Sequence, residues 1–349
     1  MQANGIVNNA FTTWDYTGFY LKLPSSKLGL VMDLEVDRMS SLQISPEDLK
    51  SELQVVKEER RWRIDNNPPS LLREALFDKI YGNHPYHWPV IGYMKDITQY
   101  TSEKLRYFYN KFYVPNNAVL VIAGDISPQQ TKSMIEKHYG QLVAKTLPAR
   151  QDPQLLPFSG PQQMVLHGEV QSSTVAMAFQ GVSADNQDTF ALDLLAGVLS
   201  TGSSSRLYKH MIYHDEIATS ISANNMSNVG PGLFVISASL KPKQSTESGE
   251  KIILTEVEKV QKELVSKAEL EKAKNMIMTE YVNDLTTIDS KARALAVNEI
   301  LFGDYERLFT DLQHYEHVTA DEIQQVARKY LSARHRLIGE LNPKFAEAP

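Results

Sequence analysis

The sequence predicts an α+β fold made of two related domains, and three observations predict it. Helix-spaced and strand-length apolar patterns both occur but do not alternate regularly, which argues against a parallel α/β chain. The two halves close alike. Phe108-Tyr-Asn-Lys-Phe-Tyr-Val-Pro-Asn-Asn-Ala-Val-Leu-Val-Ile-Ala-Gly-Asp125 reads as a helix end, a tight turn and an apolar strand, and Val326 to Leu341 repeats that plan. Between the halves, Lys145 to Gln163 carries four prolines (Pro148, Pro153, Pro157, Pro161) and little periodicity, the signature of a linker. The predicted division is therefore 1–145, a linker at 146–163, and 164–349. A chain of 349 residues is also long for a single core.

Each element has a local reason. Gln2 to Trp14 reads as a turn leading into a strand, and Tyr16 to Leu23 as a second, aromatic-rich strand. Leu30, Val31, Leu34 and Met39 have helical spacing, so Leu28 to Met39 is a helix. Ser45-Pro46-Glu47-Asp48 supplies an N-cap, a first-turn proline and an acidic residue three positions on. That helix runs to about Ile64, where Asn66-Asn67-Pro68-Pro69 stops it. Ser70–Tyr81, Ser102–Phe112 and Pro128–Tyr139 are further helices, and Val119–Ala123 is a buried strand ended by Gly124-Asp125. Beyond the linker come strand Thr174–Phe179, helix Thr189–Leu199, a Gly/Ser turn at Thr201–Ser205 and helix Arg206–Tyr213. Strands near Ala218–Ala223 and Leu233–Leu240 precede long amphipathic helices at Gly249–Leu264, Lys267–Leu285 and Lys291–Gly303. A last helix, Thr319–Leu331, leads into strand Arg336–Leu341.

Composition excludes several functional classes. At 42% hydrophobic, 22% charged and net charge −6, with no Lys/Arg-rich face, nucleic acid is not the expected partner. No apolar run approaches the roughly 20 residues a membrane-spanning helix needs. With no cysteine, disulfides and thiolate metal sites are excluded.

Glu52 and Glu59, seven apart on the second predicted helix, share one helical face, two turns from each other. Such carboxylates are usually solvated. His84 and His87 do not share a helical face, because Pro85 and Pro89 forbid a helix there. His210 and His214 sit at i, i+4 with no acidic third ligand placed beside them, so a polar helix face is the preferred reading. The run Glu256–Lys274 reads as a solvated face laced with i, i+4 pairs.

Taken in order, the short motifs resemble those of the pitrilysin/insulinase zinc peptidases. Asn8-Asn9-Ala10-Phe11-Thr12 is similar to that family's Asn-Ala-x-Thr strand, and Glu52 to Glu59 to its E-x-x-x-x-x-x-E helix. His84-Pro85-Tyr86, Gly92, Tyr113-Val-Pro-Asn-Asn117 and Ile122-Ala-Gly-Asp125 follow in the family's order, and Gly202-Ser-Ser-Ser-Arg-Leu-Tyr208 resembles its G-x-x-S-R-L-F signature. The resemblance implies a zinc-dependent metalloendopeptidase subunit that hydrolyses peptides or unfolded polypeptides with a metal-activated water. Glu59 would be the third zinc ligand and Glu52 would support the site from behind it. Asn9, Ala10, Phe11 and Thr12 would lie on an edge strand to which an extended substrate adds.

The family's H-x-x-E-H motif is not in these 349 residues. The family spacing would put it roughly 75 residues before Glu59, so the first domain is expected to lack its N-terminal part, and tight zinc binding by this chain is not expected. The family's Arg and Tyr that grip substrate and oxyanion fall on Ile212, which has no donor, and Thr219, which is too short to stand in for a tyrosine hydroxyl. A second subunit of the same family is therefore the expected partner, and bacterial two-subunit relatives imply export. Two alternatives stand beside this reading: a non-catalytic partner subunit, and a simple peptide-binding module.

Overall fold

A computed structural model describes residues 1–149, 153, 155–158 and 160–344. It opens with strands β1 (Val7–Thr12) and β2 (Thr17–Lys22), then helices α1 (Leu28–Ser40), α2 (Pro46–Arg60), α3 (Pro68–Tyr81), α4 (Met94–Ile97), α5 (Ser102–Phe112) and α6 (Pro128–Tyr139). Next come β3 (Gln162–Gly168), β4 (Thr174–Gln180), α7 (Asp188–Ser200), α8 (Arg206–Tyr208), β5 (Ala218–Met226) and β6 (Leu233–Leu240). The chain continues through α9 (Thr246–Lys262), α10 (Lys267–Asp284), α11 (Ile288–Phe302), α12 (Arg307–His317), α13 (Ala320–Tyr330) and β7 (Arg336–Pro343). None of these helices is long and apolar enough to cross a membrane.

Two compact units interleave along this order. The first takes Met1–Arg60, Val90–Gln151 and Asp284–Leu308; the second takes Arg61–Pro89, Asp152–Asn283 and Phe309–Pro349. A single cut between 145 and 164 therefore does not describe the units. Both halves run through a pair of strands and then successive helices, so α1, α2 and α3 have α9, α10 and α11 as counterparts. The borders fall at matching points, after α2 and at the end of α10. Each unit thus incorporates a helix, α3 or α11, from the other half of the sequence.

The second unit is built on a five-stranded sheet of order β3-β7-β4-β6-β5, parallel between β3 and β7 and antiparallel elsewhere. Val175, Met177 and Phe179 of β4 and Phe234, Ile236 and Ala238 of β6 point into one core with Leu192, Leu195 and Leu199 of α7, Ile253 and Val257 of α9, and Ile323 of α13. The alternation follows from the two-residue period of a strand. α3 packs against β7 and β4. It starts sharply because Asn67 caps it, its side chain accepting from the Ser70 amide, with Pro68 in the first turn. Leu72 and Leu76 close on Gly339, where a Cβ would stand 2.8 Å from Leu76 Cδ2 and 2.9 Å from its Cγ. Gly339→Ala is expected to cost about 1–3 kcal/mol through overpacking, read as a lowered denaturation midpoint with unchanged m-value. An unchanged midpoint would mean that α3 gives way freely.

Three local expectations differ from the structure. Val119–Ala123 forms no strand among the described residues, and Val119 and Leu120 are exposed. Apolar content marks a segment as sheet-forming, but a strand exists only through its neighbours. β3 and α12 went unanticipated. β3 lies at the proline-rich stretch and alternates half-buried with exposed residues, as an edge strand does. The helices predicted to run to Ile64 and Tyr213 end as π-helical turns, at Arg61–Asp65 and Lys209–His214.

Candidate functional site

β1 and β2 form an antiparallel pair in which Asn9 faces Tyr20, Ala10 faces Phe19, Phe11 faces Gly18 and Thr12 faces Thr17. The turn is held by Thr13, whose Oγ1 accepts from the Asp15 and Tyr16 amides. This sheet has two strands among the described residues, so the other edge of β1 is open. Asn9, Ala10 and Thr12 are exposed and Phe11 is half-buried. The Ala10 amide donates to Asn9 Oδ1 at 2.8 Å, and the Thr12 and Thr17 hydroxyls meet at 3.3 Å. Phe11 crosses Gly18, where a Cβ would fall 2.6 Å from the ring. The glycine is what lets the aromatic ring cross the hairpin.

α2 carries both acidic candidates. Ser45 caps it: Ser45 Oγ accepts from the Asp48 amide at 3.0 Å and donates to Asp48 Oδ2 at 2.6 Å. Glu52 is exposed and Glu59 half-buried. Next to Glu59, the buried Arg60 donates from Nη1 to the Gly92 carbonyl at 2.8 Å and lies 5.9 Å over the Tyr93 ring. That anchor sets the rotational phase of the last turn of α2, and so the direction in which Glu59 leaves the helix. Among the described residues no three His, Asp or Glu side chains converge on a point that could hold a metal ion. The donor set present here does not fit a zinc ion.

The histidines are otherwise engaged. His84 is buried between Tyr81 and Tyr86, and its Nδ1 accepts from the Tyr86 amide at 3.1 Å. Tyr86 in turn accepts from the Gly230 amide at 2.8 Å, so His84-Pro85-Tyr86 ties a turn to the loop before β6. His87 Nδ1 lies 3.0 Å from Asp78. His210 Nδ1 sits 2.8 Å from Glu256, which is buried and also paired with Lys259 at 2.7 Å. Glu256 therefore departs from the solvated face expected of its run, while Glu258 and Lys262 form the exposed i, i+4 pair that pattern calls for.

Comparison with known proteins gives the family. Residues 1–93 match the insulinase family (peptidase family M16) and residues 99–277 the peptidase M16 inactive domain. The zinc protease PqqE of Helicobacter pylori is 30% identical over 337 residues, covering 93% of this chain and 74% of that protein. The chain belongs to the M16 peptidase family. The uncharacterized zinc protease YmxG of Bacillus subtilis is 23% identical, over 94% of the M16 chain and 79% of its own length. A protease from Helicobacter pylori of known crystal structure superposes with a TM-score of 0.91 at 28% identity, over 98% of this chain and 83% of that one. A peptidase M16 inactive domain from Pseudomonas fluorescens shares the fold at a TM-score of 0.88 and 17% identity, over 100% of this chain and 83% of that one.

Ile212 and Thr219, where the resemblance would put the substrate-gripping pair, make other contacts in this M16 chain. Ile212 packs on the core of the second unit, and Thr219 Oγ1 donates to the Ser239 carbonyl at 3.2 Å. The conspicuous Arg206 of the Gly202–Tyr208 signature is structural too. It grips Glu269 with both ends of its fork, at 2.7 and 3.1 Å, while the Ser266 amide and hydroxyl each donate to the same carboxylate at 2.8 Å. Arg206 first, and the Ser266 bonds after it, bring the Glu269 carboxyl down to about 2. The signal available in the sequence was the capping pattern Ser266-x-x-Glu269. Another acid, the half-buried Asp193, accepts from Tyr315 Oη at 2.7 Å and Asn225 Nδ2 at 2.9 Å, and desolvation pushes it up to about 6. Its signal was an acid within the apolar run Phe190–Leu199.

Proposed function

We propose that this chain is a subunit of a zinc-dependent metalloendopeptidase acting on extended or unfolded polypeptide. Its own contribution is to dock the substrate backbone along the open edge of β1, at Asn9–Thr12, and to offer Glu59 as a metal ligand supported by Glu52. The observation that carries the reading is the open, largely exposed edge of β1 in a chain whose relatives are named zinc proteases. Strand addition uses main-chain hydrogen bonds, so it accepts many sequences. The remaining ligands and the Arg/Tyr donors come from polypeptide outside these 349 residues, the latter from a second M16-type subunit. One observation favours a non-catalytic partner role as the second reading: the described residues bring no metal-binding triad together.

Peptide binding and peptide cleavage separate the readings. The chain alone is expected to bind a labelled extended peptide with or without chelator, and to leave a fluorogenic peptide uncut in added Zn²⁺. Adding an M16 polypeptide that carries H-x-x-E-H should produce chelator-sensitive cleavage that Glu59→Gln in this chain abolishes. Cleavage that survives Glu59→Gln would leave this chain the non-catalytic partner, and failure to bind peptide at all would sink the docking role.

A further inference from the structure

The hairpin that carries the open edge is held from one face by α11. Asp289, in the first turn of that helix, lies 3.3 Å from Lys22 and 3.0 Å from Arg293, one turn further on. The Arg293 guanidinium stands 3.6 Å over the ring of Tyr20 and 5.6 Å from that of Phe11. Antiparallel partners share a face, so Lys22, Tyr20, Gly18 and Phe11 all project to the same side of the hairpin. The spacing matches: four helical residues rise about 6 Å, and two strand residues about 6.6 Å. Asp289 and Arg293 therefore meet Lys22 and Tyr20 in register, and a slip of one strand residue would break both contacts. The opposite face is held differently, with Arg38 lying 4.2 Å over Phe19.

We propose that Arg293 is a positioning residue for the peptide-docking strand, fixing the height of Phe11 and with it the amides of Ala10 and Phe11 that an incoming backbone meets. This rests on the docking role assigned to β1 above. A cation between two rings suits the task. It holds both aromatic faces at once and, being planar, resists rotation in a way that an ammonium does not. The element responsible comes from the distant half of the sequence, so the docking edge answers to residues that touch no substrate.

The test uses the whole chain with a fluorescein-labelled peptide alternating threonine and valine between terminal lysines. Binding is followed by anisotropy, and the amide shifts of alanine and phenylalanine by selective ¹⁵N labelling. Arg293→Met keeps the stem but removes charge and plane; it is expected to weaken binding about tenfold and to move the Ala10 and Phe11 amides. Arg293→Lys restores the charge alone, and binding should recover to within about threefold of the native chain. Native binding and unmoved amides in Arg293→Met would overturn the proposal, whatever happens to the melting temperature. Should that variant fail to fold, Lys22→Met breaks the same ladder from the strand side, and unmoved amides there would overturn it equally. If the native chain binds no peptide, the docking role fails, and the amide shifts still decide whether Arg293 positions β1.

Discussion

Arg206→Ala is expected to lower the unfolding free energy by about 1–2 kcal/mol at pH 7. Glu269 would lose its bidentate partner while Ser266 still holds it in place. The folded-state carboxyl sits at about 2, against an ordinary value of 4.5. A shift of that size corresponds to about 3 kcal/mol, reduced because the pair is partly open to solvent. The sign follows from proton uptake. A carboxylate depressed in the folded state stabilises above pH 4.5, and that contribution disappears as pH falls towards 2. Urea titrations of native and variant chains should therefore diverge at pH 7 and approach each other near pH 3. A gap of equal size at both values would mean that Arg206 acts by packing alone. In that case the signature's arginine has no electrostatic role.

Asp193→Asn is expected to act in the opposite direction. Burial is the main reason Asp193 titrates near 6, with Glu280 adding to it and Tyr315 and Asn225 opposing it. The folded state holds the proton more tightly than the unfolded chain, so this residue's contribution to stability falls as pH rises from about 4 to about 6. At pH 8 the native chain carries a half-buried charge, and the asparagine variant does not. The variant should be more stable there by about 1–3 kcal/mol and close to native at pH 4. Asparagine can still accept from Tyr315, so the network keeps one bond. A variant less stable than native at pH 8 would show that the charge is better solvated than its burial implies.

The sequence made some parts of this molecule readable because their causes are local. The cap of α2 is Ser45 and Asp48, three residues apart, and the face shared by Glu52 and Glu59 follows from helical pitch alone. The open edge of β1 was legible for a different reason, as a motif in a familiar order. What stayed hidden depends on partners far along the chain. Arg206 and Glu269 carry no mutual mark, and Glu256 looks like any surface acid until His210 and Lys259 are folded around it. Val119–Ala123 has the composition of a strand, but composition does not supply a neighbour. Least visible was which sheet each helix covers. α3 reads as an ordinary amphipathic helix, and only the missing side chain at Gly339 records that it closes on β7.

The border after α2 and its counterpart at the end of α10 bear on how the protein is made. The first unit contains β1, β2 and α11, so its hairpin leaves the ribosome long before the helix that holds it has been translated. The roughly 280 residues between Lys22 and Phe302 take about 15–55 s to synthesise at ordinary rates. Throughout that interval an open strand edge and the exposed rings of Phe11 and Tyr20 have no permanent cover, the condition under which nascent chains pair wrongly or recruit chaperones. The units therefore cannot mature one after the other from the N-terminus. The β1 edge is translated well before the helix that secures it.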